Sequence, residues 1–412
     1  VCYHLYKLII ELWTYQGDYS MDIFEKCYKY TKVKEVQATG LYPYFIPLTG
    51  SEGNVADFKG RKLIMCGSNN YLGLTTHPKV RQAAIDAVKE YGTSCTGSRF
   101  LNGTLELHEF LERELATWVG KDSALVFSTG MQVNLGTISA LVCRGDYVVL
   151  DREDHASIVD GARLGWGDTK RFRHNDMEDL ERVLSKIPAN KGKLVVVDGL
   201  YSMEGDIAPL PELHPICQRY NARLMVDDAH AMGVLGKGRG TAAHFGMTDE
   251  VDLIMATFSK SFASIGGFIA GNADVIDFIK HNARALIFSA SIPAANAAAA
   301  LAALQVMRTE PERIERVNQV GDYMRHNLKE LGFDIGMSMT PVIPIIIGDD
   351  QRTLLTWKLL FEAGVFVNPI LSPAVKQGRQ LLRTSYMATH TDEQLAQVLE
   401  TYEKIGKQVG LI

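Results

Sequence analysis

The 412-residue chain has only six cysteines (Cys2, Cys27, Cys66, Cys95, Cys143 and Cys217), with no CxxC pair and no histidine near them at zinc-ligand spacing. This excludes a disulfide scaffold and a structural zinc site, and predicts a reduced, cytoplasmic protein. Long apolar runs are missing as well. The most apolar early stretch, Leu8-Ile9-Ile10-Glu11-Leu12-Trp13, falls short of the roughly 20 residues that span a bilayer, and Glu11 interrupts it. No run of Lys and Arg tracks phosphates, and 43 Lys+Arg against 48 Asp+Glu leave a net charge of −5, so nucleic acid is not the expected partner. Internal repeats and low-complexity segments are absent. What remains is an ordinary globular composition, 46% hydrophobic and 22% charged, in which small molecules are the favoured ligands. The chain begins at Val1, and Met21 offers an alternative start, so residues 1–20 are expected to be a leader or upstream extension. Their Tyr, Leu, Ile and Trp content leaves a peripheral contact with the inner membrane open.

From about residue 60, short β-branched runs alternate with helical stretches, the pattern of βαβ units. Expected strands are Ser123–Ser128, Tyr147–Leu150, Lys193–Val197, Arg223–Val226, Leu253–Thr257 and Gly267–Ala270. Several are continuous apolar runs, as strands covered on both faces are. The fold class is therefore α/β, with a mostly parallel central sheet between helices. Met177–Ile187 reads as a helix, with Leu180, Val183, Leu184 and Ile187 on one face. An Ala-rich helix after Pro293 is expected to bridge to a smaller α+β domain. That domain holds strands Val342–Ile347 and Leu381–Tyr386, a helix near Thr353–Phe361, and a last helix from Asp392 with Thr391 and Gln394 as a capping box. The expected division is an N-terminal extension and arm (1–60), a large domain (61–292) and a C-terminal domain (293–412).

In open α/β sheets, ligands gather at the carboxyl ends of strands. Those ends here carry Asp227-Asp228-Ala229-His230, Phe258-Ser259-Lys260, Thr129-Gly130, and Asp151 with His155 shortly after. Taken singly, each has a plain reading. Lys260 suits a solvated surface, His155 a satisfied interior histidine, and Asp-Asp-x-His a loop or a metal site lacking its third ligand. Gly236-Lys237-Gly238-Arg239-Gly240 reads as a mobile turn, because it lacks the Lys-Ser/Thr ending of a phosphate loop. Together they match what pyridoxal phosphate needs. An amine forms a Schiff base with its aldehyde, a carboxylate keeps its ring nitrogen protonated, and a helix N-terminus takes its phosphate. The charge-assisted bond from Asp227 to the ring is worth about 1.5–3 kcal/mol.

The segments Gly67-Ser68-Asn69-Asn70-Tyr71-Leu72-Gly73-Leu74, Gly97-Ser98-Arg99-Phe100-Leu101-Asn102-Gly103-Thr104, Asp154-His155-Ala156-Ser157, Val226-Asp227-Asp228-Ala229-His230 and Thr257-Phe258-Ser259-Lys260 resemble those of the α-oxoamine synthases, which are fold-type I pyridoxal phosphate enzymes. The resemblance runs from about Leu41 to the C-terminus. Gly40-Leu41-Tyr42-Pro43-Tyr44-Phe45 and Leu381-Leu382-Arg383-Thr384-Ser385-Tyr386 make the chain look most like bacterial members that condense L-serine with palmitoyl-coenzyme A, the first committed step of sphingolipid synthesis.

The resemblance implies residue roles. Lys260 matches the Schiff-base lysine, Asp227 the ring-nitrogen partner, and His230 the partner of the ring O3′, with Ser202 beside it. His155 matches the imidazole stacked on the ring, which also touches the serine carboxylate. Thr257 and the Thr129-Gly130 turn match phosphate contacts, and Ser259 and Met131 count among the cofactor contacts, Met131 standing where an aromatic is usual. Arg383 and Asn69 match groups at the substrate carboxylate. Phe288-Ser289-Ala290-Ser291 corresponds to a segment that reaches across a homodimer. Two relatives of the same chemistry, glycine C-acetyltransferase and 8-amino-7-oxononanoate synthase, stay open as alternatives. So does a non-catalytic regulatory subunit, against which the presence of Lys260 counts.

Overall fold

Seven strands carry the large unit: β1 (Ser123–Phe127), β2 (Tyr147–Asp151), β3 (Asp168–Phe172), β4 (Lys193–Asp198), β5 (Arg223–Asp227), β6 (Leu253–Thr257) and β7 (Gly267–Gly271). They lie in the order β1-β7-β6-β5-β4-β2-β3. Every neighbouring pair is parallel except those made by β7, which runs antiparallel to both β1 and β6. The structure, a computed structural model, describes residues 22–412. The expectations for residues 1–20 lie outside the described residues.

Strands β4, β6 and β7 are buried at every position, which is why residues 194–197, 253–256 and 267–271 are apolar runs rather than alternating ones. On one face Phe127, Val148, Leu150, Val196 and Met255 pack with Val133, Ile138 and Ile158 of the covering helices α1 (Gly130–Leu141) and α2 (Ala156–Leu164). Six strands sit where the apolar runs place them. The seventh, β3, reads Asp-Thr-Lys-Arg-Phe with four exposed residues, an edge strand whose polarity hides it from a search for apolar runs.

The chain divides into two compact units, residues 69–319 and residues 22–68 with 320–412. The sequence places its boundaries instead near 60 and 292. The Ala-rich helix α3 (Ala294–Thr309) stays within the large unit, because Ala294 and Ala298 pack against Ala87 of helix Pro78–Tyr91. Small side chains on both helices let the backbones come close.

The smaller unit is α+β. Its antiparallel sheet joins Val342–Ile346, Leu381–Ser385 and Asn368–Ile370. Helices Asp350–Glu362 and Asp392–Val409 supply Trp357, Phe361, Leu395 and Tyr402 to its core. The last helix opens on the expected capping box of Thr391 and Gln394. Among the described residues, no helix is long and apolar enough to cross a membrane.

Candidate active site

Strand pairing sets Asp198 opposite Asp227 and Asp227 opposite Met255, so the carboxyl ends of β4, β5 and β6 open side by side. A cavity of about 300 Å³ lies there, at the small end of ligand sites. Lys260, Asp227, His155, His230, Ser202, Thr129, Gly130, Met131, Thr257 and Ser259 all line it. Two other predicted residues stand elsewhere. Asn69 is half-buried in the large unit, its Oδ1 accepting from Tyr71 Oη at 3.5 Å. Arg383 is buried on strand Leu381–Ser385 of the smaller unit, with Nη1 3.5 Å from Ser385 Oγ.

One end of the cavity is built for an anion. Thr129 caps α1, its Oγ1 accepting from the Gln132 N–H at 3.2 Å, and the helix N-terminus carries partial positive charge. A Cβ on Gly130 would stand 2.5 Å from Thr257 Oγ1, so only glycine lets the turn and the β6 hydroxyl close on the same spot. Thr257 Oγ1 lies 2.9 Å from Ser259 Oγ and donates to the Gly266 carbonyl at 3.1 Å.

The opposite wall holds the carboxylate. Asp227 is buried, and both its oxygens are engaged: Oδ1 accepts from the Ala229 N–H at 2.9 Å and Oδ2 from Asn134 Nδ2 at 2.7 Å. Two fixed donors set its orientation. Asp228, the other acid of the pair, is held away by the Thr241 N–H at 2.9 Å, and burial pushes its carboxyl up to about 7. A Cβ at Gly240, where φ is +96°, would meet Asp228 Oδ2 at 2.0 Å. The glycine turn that sequence alone reads as mobile is thus packed down on Asp228, with Gly238 and Gly240 buried.

His155 caps α2, and its N–H donates to Asp198 Oδ2 at 3.1 Å. Asp198 in turn donates its N–H to Asp154 Oδ1 at 3.0 Å. Burial raises both carboxyls well above the usual range; the Asp198 charge adds to this for Asp154, and the Asp227 charge for Asp198. Behind them His174 joins two wall loops, its Nδ1 3.0 Å from Asp151 and its Nε2 2.9 Å from Asp206. Burial opposes its charge, but the two carboxylates prevail and raise it to about 10. Lys260 lies close enough for its charge to act on both His155 and Asp198.

These residues fit pyridoxal phosphate: an anion cradle that no Cβ may enter, a doubly held carboxylate and a lysine around one cavity. Sequence reasoning passed over Asn134, Ser157, Tyr71 and Asp198. Ser157 and Tyr71 lie inside segments already singled out, and Asp198 is the residue just after the expected strand Lys193–Val197, which the observed strand includes. Asn134 carries no local signal at all, because its role appears only when α1 folds over β5.

The chain matches the family aminotransferase class I and II over residues 61–401. It is 50% identical to a serine palmitoyltransferase of Sphingobacterium spiritivorum over 388 residues, covering 94% of this chain and 97% of that protein. An 8-amino-7-oxononanoate synthase of Alkaliphilus oremlandii is 40% identical over 386 residues, covering 92% of this chain and 97% of that protein. Among solved structures, the serine palmitoyltransferase from S. paucimobilis with bound PLP–myriocin aldimine superposes with a TM-score of 0.91 at 35% identity, covering 95% of this chain and 100% of that one.

Proposed function

We propose, for a chain that belongs to the aminotransferase class I and II family, a pyridoxal phosphate-dependent decarboxylative condensation of L-serine with palmitoyl-coenzyme A. The products are 3-ketodihydrosphingosine, coenzyme A and carbon dioxide. The convergence of Lys260 and Asp227 on one cavity supports the chemistry, and half-identity to a serine palmitoyltransferase supports the substrates.

Bound pyridoxal phosphate supplies an electron sink for the charge left at the serine Cα, first when a proton departs and again when the carboxylate does. The α1 N-terminus with Thr129, Thr257 and Ser259 takes the phosphate. Asp227, oriented by Ala229 and Asn134, takes the ring nitrogen, while His230 and Ser202 take the ring oxygen. Lys260 would hold the cofactor through its aldehyde carbon, and its amine would serve as the general base for the serine Cα proton. His155 covers the ring and donates to the substrate carboxylate. Arg383 and Asn69 are assigned that same carboxylate on their motifs.

In this reading the protein works as a homodimer through the segment containing Phe288, which is 74% exposed. Light scattering of the loaded protein at twice the 45.6 kDa chain mass is the expected result. Incubation with palmitoyl-coenzyme A and serine, glycine or alanine in turn, with products read by mass spectrometry, tests the reaction. Product from serine alone is expected. Product from glycine or alanine alone would move the chain to the acetyltransferase or oxononanoate synthase reading, and no product from any of them would favour a non-catalytic subunit.

A further inference from the structure

Asn134 sits one turn inside α1, completely buried, with its Nδ2 2.7 Å from Asp227 Oδ2 and 2.8 Å from Ser157 Oγ. An amide nitrogen has two hydrogens, and these two acceptors use both. The reverse orientation would press the amide oxygen against a carboxylate oxygen, so chemistry fixes which way the side chain points. Among the described residues its own Oδ1 is then left buried with no partner.

Ser157 continues the chain of donors. Having accepted from Asn134, its hydroxyl has one proton to give, and His155 Nδ1 lies 2.7 Å away. The Ser157 backbone N–H, which can only donate, also points at Nδ1, at 3.2 Å. Two independent donors therefore converge on one imidazole nitrogen. Nδ1 is an acceptor, and in the neutral ring the proton must be on Nε2.

We propose that Asn134 and Ser157 are positioning residues that hold His155 as the Nε2–H tautomer, so that the cavity receives a hydrogen-bond donor suited to an amino-acid carboxylate. Burial lowers the His155 pKa; Asp227 opposes this shift and Lys260 adds to it, so the ring is neutral at neutral pH. Among the described residues Nε2 has no protein partner, which leaves it to a ligand in the cavity that His155 lines. The same Asn134 nitrogen holds the Asp227 carboxylate, so one buried amide orients both the ring-nitrogen acid and the histidine. The tautomer follows from the protein alone, whereas the carboxylate it serves rests on the function proposed above.

The test is imidazole nitrogen NMR of the holoenzyme labelled with ¹⁵N-histidine, the His155 signals being assigned by their loss in His155→Gln. Nδ1 is expected as the bare, pyridine-type nitrogen and Nε2 as the protonated one. In Ser157→Ala and Asn134→Ala the shorter donor to Nδ1 is lost or unanchored, so the two tautomers mix; in Ser157→Ala KM for serine rises about fivefold with kcat changed less than twofold, whereas Asn134→Ala also releases Asp227 and lowers kcat as well. A protonated Nδ1 in the parent protein overturns the proposal, as does an unmixed tautomer in both variants. Because the spectrum needs no turnover, the expected tautomer without activity toward serine would retain this inference and reject the proposed reaction.

Discussion

Tyr71 Oη and His230 Nδ1 stand 2.7 Å apart in the buried wall behind the cavity. The contact fixes the imidazole that is proposed above to take the ring oxygen, and Asn69 approaches the same hydroxyl at 3.5 Å. Removing the hydroxyl leaves a buried ring nitrogen short of a partner, at a cost of about 1–1.5 kcal/mol. Tyr71→Phe is therefore expected to weaken pyridoxal phosphate binding about tenfold, as read by absorbance titration of the apoprotein. Unaltered affinity would mean that His230 does not hold the ring.

The closeness of Gly130 to Thr257 makes a discriminating prediction about which end of the cavity takes phosphate. A methyl group at Gly130 meets Thr257 Oγ1 at 2.5 Å and distorts the cradle. Gly130→Ala should reduce affinity for pyridoxal phosphate by about tenfold or more, roughly 1.4 kcal/mol, while affinity for pyridoxal changes little. Equal losses for both would place the phosphate elsewhere.

His174 makes stability depend on pH. Its folded-state value is raised to about 10 from an ordinary 6.5 by Asp151 and Asp206. A raised value means the folded state holds the proton more tightly, so the stabilisation is complete below about pH 6.5 and fades as pH climbs through about 10. The melting temperature of His174→Gln should fall well below that of the parent protein at pH 6, with the gap closing toward pH 10. A gap that stays constant or widens with pH would contradict the imidazolium clamp.

Arg99 and Glu112 form a buried two-pronged ion pair, with nitrogen–oxygen distances of 2.8 and 3.0 Å. Glu112 Oε1 also accepts from the Val126 N–H of β1 at 2.8 Å, so the pair pins a sheet strand. Arg99→Met strands the carboxylate in the interior and should cost about 3–5 kcal/mol in urea unfolding. A loss below about 1 kcal/mol would show that Glu112 finds another partner.

That ion pair also shows where the sequence is eloquent and where it is not. Arg99 stands in a segment that marks the family, yet its partner lies 13 residues away, and the pairing needs the folded chain. Strand ends were legible because burial on two faces leaves continuous apolar runs, and the polar residue after each run then stands out, as Asp227 and Lys260 do. The edge strand β3 and the boundary near 319 were not. The first is polar, and the second depends on small-residue packing of Ala294 and Ala298 that looks the same in a linker helix. Asn134 was invisible because an asparagine in a helix has no pattern until its two acceptors are placed beside it.

The account turns on the Lys260 amine being the group that binds the cofactor aldehyde. Borohydride reduction of the protein loaded with pyridoxal phosphate, followed by peptide mass spectrometry, reads this directly. A stable pyridoxyl group on Lys260 is the predicted result. The label on a different lysine, or on none, would contradict it.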